Sequence, residues 1–158
     1  KHCNGHKSTH NVIEEPIVNP FIDNPSNHLY FHLYRYKHKD AKGETTISVL
    51  DLNDGERRLV DTRFEIGNKL QEALDEQLSK LNAYQQTPTV AKRNKLIGAV
   101  TNIMRQCLPE SQYAALCATV LHSCDEYHSL KVGMQENSLW TQDMDNYDRI
   151  SKQICLFK

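Results

Sequence analysis

Between His28 and His38 the chain alternates, residue by residue, between two kinds of side chain, and this restricts the local fold more than any other feature. Leu29, Phe31 and Leu33 fall on one parity; His28, Tyr30, His32, Tyr34, Tyr36 and His38 fall on the other. A helix would scatter these groups around its axis, whereas an extended chain sends successive side chains to opposite sides. The pattern predicts a strand over 28–38 with one apolar face and one face of imidazoles and phenols.

The residues beyond His38 point to more strands. A turn at Asp40–Glu44, containing Gly43, leads into Thr45–Leu52, which is rich in β-branched residues and predicts a second strand. Asn53-Asp54-Gly55 is a second turn by composition, and Arg57–Val60 a short third strand. Tight turns impose antiparallel pairing, so the expected sheet is a three-stranded meander, or four-stranded if the preceding arm joins it. That arm, residues 1–27, carries Pro16, Pro20 and Pro25, which oppose helix and central strand alike, while Ile13, Ile17, Val18, Phe21 and Ile22 give it apolar anchors.

From Thr62 the period lengthens. Thr62 with Glu65 matches a capping box, and Ile66, Leu70, Leu74, Leu78 and Leu81 follow at helical spacing. Thr87-Pro88 and Pro109 are expected to open a second and a third helix, the latter burying Cys117, Cys124 and Tyr127. A fourth begins near Ser138 and turns Trp140, Met144 and Tyr147 inward. Strands followed by helices give the α+β class: an antiparallel meander in the N-terminal third, packed against about four C-terminal helices. The expected organisation is the arm 1–27 and a single α+β domain over 28–158. Because the first residue is Lys1, that domain is expected to be a fragment of a larger multidomain protein.

Composition then limits the function classes. At 158 residues, with 39% hydrophobic and 25% charged content, the chain is long and apolar enough for a core that needs no metal or disulfide. A net charge of −1 gives no global attraction to anionic polymers, so neither a long nucleic acid nor a membrane is expected as a partner. The 5 cysteines are an odd number set mostly in helical segments, which suits reduced thiols in a cytoplasmic compartment. The Asn-, Gln- and Lys-rich helices look like those of domains from translocated effectors of intracellular bacteria, which would imply a host cytosol.

Three groupings have chemistry to offer. Tyr30, His32, Tyr34 and Tyr36 with Lys37 and Lys39 combine stacking surfaces, hydrogen-bonding groups and positive charge, which suits a nucleotide or another phosphorylated ligand. The plainer alternative is a sheet face covered by helices. Cys3, His6 and His10 have zinc-like spacing but lie at the chain end, where a polar tail is the simpler reading. Cys124 and His128 would share a helix face as a nucleophile–base pair, with His122, Asp125 and Glu126 on another, although Cys124 also continues an apolar stripe. Asp143, Asp145 and Asp148 read as a solvated helix face, and Glu76 with Lys80 as a surface pair.

No P-loop or dinucleotide fingerprint occurs, and no cofactor is expected. The function that fits best is a non-catalytic ligand-binding module. A protein-interaction module and a Cys/His-dependent enzyme are the alternatives.

Overall fold

The strand expected over 28–38 reverses in its middle. Leu33 and Tyr34 have φ of 47° and 62°, and the chain folds back at them as a two-residue hairpin. β1 (Leu29–His32) pairs antiparallel with β2 (Arg35–His38) in the register Leu29↔His38, Tyr30↔Lys37, Phe31↔Tyr36, His32↔Arg35. Left-handed backbone costs an ordinary residue roughly 1–2 kcal/mol, and neither position holds the Asn or Gly that would signal such a turn. That is why the alternation reads as one strand.

The computed structural model describes residues 10–158, which form two compact units: one of the chain up to Phe64 with Leu156–Lys158, the other of Glu65–Cys155. The class is α+β, but the sheet has two strands and six helices accompany it among the described residues. The segment Thr45–Leu52 is not a strand. α1 (Ala41–Val49) runs through it, capped by Asp40, whose carboxylate accepts the Gly43 N–H at 2.8 Å. β-Branched residues favour strands only where they can pack on a sheet. Here Thr46 instead donates its hydroxyl to the Lys42 carbonyl (2.6 Å) and accepts the Val18 N–H (2.8 Å), which ties the Pro-containing arm to the helix. Gly43 is required at this junction: a Cβ there would stand 2.2 Å from the carbonyl oxygen of His28.

Nor is Arg57–Val60 a strand. Arg58 has φ 52°, and α2 (Leu59–Gln86) starts directly after it. Thr62 therefore lies inside the helix, its hydroxyl donating to the Arg58 carbonyl, and caps nothing.

With no third strand, other groups satisfy the hairpin edges. Asn53 does so for Tyr36, accepting its N–H and donating to its carbonyl, both at 2.9 Å. On the β1 edge the Phe31 N–H donates to the Leu156 carbonyl at 2.9 Å. Arg63, 5% exposed, binds this assembly together. Its guanidinium donates to the carbonyls of Tyr34 and Leu52 and to the Asn53 side chain, and lies 4.8 Å from the centre of the Tyr36 ring.

The second unit is helical: the remainder of α2, then α3 (Val90–Arg105), α4 (Ala114–Ser123), α5 (Asp125–Glu136) and α6 (Gln142–Lys152). Leu74, Leu81, Val100, Met104, Leu121, Tyr127, Leu130 and Met144 form its core. The third expected helix is divided in two, because Cys124 is extended (φ −97°, ψ 123°) and ends α4 before α5 begins. Gly133 lets α5 approach α2, since a Cβ would meet Leu81 Cδ2 at 2.6 Å.

Replacing Arg63 with alanine strands the carbonyls of Tyr34 and Leu52. The expected loss is roughly 2–4 kcal/mol of local stability, because a buried acceptor without a donor bears its full desolvation cost. Amide hydrogen exchange across 29–38 measures it. A change below about 0.5 kcal/mol, the usual range for an inert surface position, would show the guanidinium to be dispensable.

Candidate functional site

The reversal at Leu33–Tyr34 decides which side chains share a face. Directly paired residues point the same way and successive pairs alternate. One face of the hairpin thus carries Leu29, Phe31, Tyr36 and His38, the other Tyr30, His32, Arg35 and Lys37. The first is the inner face: Leu29 is buried, the Phe31 and Tyr36 rings meet at 4.4 Å, and Arg63 stacks on Tyr36. The second is outward. His32, Arg35 and Lys37 are exposed and Tyr30 is half-buried.

The row of imidazoles and phenols expected on a single side is therefore split. Tyr30 and His32 stay together, and the hairpin register brings Lys37 beside them. Tyr36 turns inward. Tyr34 sits in the turn, its ring edge-on to Phe64 at 5.3 Å and its hydroxyl pushed up in pKa by burial. Lys39 lies beyond the paired strands, with its ammonium on the Ser26 carbonyl at 2.9 Å. In exchange the face acquires Arg35 and Lys37, which a single straight strand would place with the apolar residues. Recognising the turn was the only route to them.

Among the described residues, the side chains of Tyr30, His32, Arg35 and Lys37 have no hydrogen bond or ion pair. Two guanidinium and ammonium charges thus stand on a rigid ladder without carboxylates to neutralise them. The positions that would continue each row are occupied otherwise: Lys39 by Ser26, and His28 by Asp40 (Nδ1 to Oδ2, 2.6 Å). The Gly43 N–H and then His28 hold the Asp40 carboxyl below its usual pKa.

The other candidate groupings separate. Cys3 and His6 lie outside the described residues, and the His10 ring engages the Glu15 carbonyl at 2.6 Å. No group of His, Cys, Asp and Glu among the described residues is arranged to hold a metal ion. The break at Cys124 separates His122 from Asp125 and Glu126, removing their expected common face. The Cys124 thiol does not meet the His128 ring; the two residues are joined only through the backbone, the His128 N–H donating to the Cys124 carbonyl at 3.3 Å. The thiol of Cys124, 4% exposed, lies 2.6 Å from a Glu126 carboxylate oxygen, while the His128 ring meets the His122 carbonyl at 3.2 Å. Burial and then that carboxylate push the Cys124 thiol up in pKa, the reverse of what a nucleophile needs.

Burial also raises Cys117 and Cys107, and pushes Cys155 up to about 12. Asp148 is not solvated as expected. Burial works to raise its pKa, but the Tyr127 hydroxyl and Lys131 (2.9 Å) both donate to it, outweigh that effect and hold the value down. Asp145 accepts the Trp140 N–H at 2.7 Å, and Glu76 pairs with Lys80 at 2.7 Å as its spacing implies. The second unit also has a groove of about 510 Å³ lined by Leu78, Leu81, His128 and Val132. No helix among the described residues is long and apolar enough to cross a membrane.

Comparison with known proteins gives an informative match. The chain is 36% identical over 145 residues to the Septu protein PtuB of Bacillus thuringiensis. The alignment takes in 90% of this chain and 56% of that protein, so the chain spans little more than half the length of this relative. No protein-family model matches, and no solved structure does.

Two measurements bear on this geometry. The described cysteines should alkylate uniformly and slowly at neutral pH in the native protein; a selectively fast Cys124 would restore the nucleophile reading. For Asp40 the folded pKa is depressed, so its stabilising effect is complete above the ordinary carboxylate value of about 3.9 and is lost as pH falls through the lower folded value. Asp40→Asn should accordingly flatten the acid limb of the stability–pH curve for the hairpin and α1. An acid limb as steep as that of the wild type would count against the His28–Asp40 and Gly43 contacts as its source.

Proposed function

We propose that this chain is a region of a PtuB-type component of a bacterial anti-phage defence system, and that its hairpin is a non-catalytic binding surface for a nucleotide or another phosphorylated ligand. The likeness to PtuB supports the first part. The second rests on one observation: Arg35 and Lys37 stand on the outward hairpin face with no ion pair among the described residues, directly across the ladder from His32 and Tyr30. Uncompensated cations on a fixed backbone attract an anion, and guanidinium is suited to phosphate oxygens through its planar fork of donors. The phenol and the imidazole opposite offer flat surfaces to a base and hydrogen bonds to its edge. Because the face is open to water, its charges are screened and its affinity must fall with added salt.

The test is calorimetric titration of the full chain with a panel of nucleoside mono- and triphosphates at low ionic strength. Saturable binding is expected, weakened by salt and by about tenfold in each of Arg35→Ala and Lys37→Ala, the loss of one charge-assisted hydrogen bond. Lys95→Ala, at an exposed position in the other unit, should leave it unchanged. Absence of saturable binding to any nucleotide, or binding indifferent to both hairpin variants, would remove the reading.

A further inference from the structure

The outward face has a length as well as a composition. Its side chains form two parallel rails, Tyr30 and His32 on β1, Lys37 and Arg35 on β2, joined across the ladder as Tyr30↔Lys37 and His32↔Arg35. Both rails stop after two positions. At one end the next side chains in register, His28 and Lys39, are held by Asp40 and by the Ser26 carbonyl. At the other end the chain turns back through Leu33, an exposed apolar residue, and Tyr34. The face is thus a closed array of two rows, each with one ring and one cation.

We infer that this face takes a free dinucleotide carrying two phosphates, with a base on each of Tyr30 and His32 and a phosphate against each of Lys37 and Arg35. The inference rests on the reading of the hairpin as a surface for a phosphorylated ligand, and narrows it to a ligand of two linked units. Outward side chains on one strand are roughly 6.8 Å apart, and cross-strand neighbours about 5 Å. The ring spacing is about twice the 3.4 Å rise of stacked nucleotides, so each base lies on its own ring instead of on its neighbour. A mononucleotide fills one row and leaves the other hydrated. A longer strand gains nothing past the second unit, because the side chains beyond are already engaged.

The experiment titrates the full chain with 5′-phosphorylated adenylyl-adenosine, AMP, pyrophosphate and an adenylate strand of about ten nucleotides. The dinucleotide should bind at least about tenfold tighter than AMP and pyrophosphate, since a second stacked base alone contributes that much. The strand should bind no more than about threefold tighter than the dinucleotide. Tyr30→Ala and His32→Ala should bring the dinucleotide down toward AMP, with the melting temperature unchanged and pyrophosphate binding unaffected. Equal affinity for AMP would overturn the two-row site while leaving a phosphorylated-ligand surface standing. Equal affinity for pyrophosphate would reduce it to charge alone, and a strand bound more than about tenfold tighter would make it an open tract. If none of the four probes binds, this inference and the reading beneath it fall together.

Discussion

A two-stranded hairpin in water is marginal at best, and this one persists because a buried guanidinium holds its turn and its edge at once. Arg63 reaches the Tyr34 carbonyl inside the turn, the Leu52 carbonyl and the Asn53 amide beside β2, and stacks on the inward ring of Tyr36. Asn53 in turn supplies β2 with the donor and acceptor that a third strand would have brought. One helical residue therefore fixes the backbone on which the outward side chains stand. The left-handed turn at Leu33 and Tyr34 would otherwise be costly for residues of that size, and it persists because those contacts determine it from several directions.

The alternation over 28–38 told correctly that the segment is extended, and it concealed the turn. Leu-Tyr has none of the chemistry that usually marks a hairpin, so nothing local distinguishes one long strand from two short ones. The consequence for function is large, because a two-residue turn makes the paired numbers sum to an odd total. Even-numbered residues face outward on β1 and inward on β2. Tyr36 and His38 moved to the inner face for that reason alone, and Arg35 and Lys37 moved out. The strand expected over Thr45–Leu52 failed differently. Its β-branched residues favour a sheet in isolation, but the Asp40 cap and the Gly43 approach to His28 are long-range decisions that override local preference.

The helical unit was more legible, since burial at three-to-four spacing leaves a trace that turns do not. Leu70, Leu74 and Leu81 are buried as their spacing implied, and so are Leu96, Val100, Ile103 and Met104. What the pattern missed was polar. Cys124 continues an apolar stripe and yet breaks the helix, and Asp148 sits on a face that looks solvated while satisfying a buried tyrosine and a lysine. Such groups carry no periodic signature, because their partners are set by hydrogen-bond satisfaction, not amphipathicity.

The division of labour within the hairpin bears on function. Leu29, Phe31, Tyr36 and the turn backbone are all engaged in holding the fold, and His28 and Lys39 close the junction with α1 and the arm. Tyr30, His32, Arg35 and Lys37 are the side chains of the outward face left over by these requirements. Like charges two residues apart on one strand repel and gain nothing from folding. An outward pair of cations with no ion-paired carboxylate among the described residues is thus a mild cost to the free protein, one that an anionic ligand of matching spacing would reverse. The turn that brings these cations opposite the rings is also the strained element of the hairpin, so the backbone strain at Leu33 and Tyr34 and the unpaired charges on β2 belong to the same short hairpin.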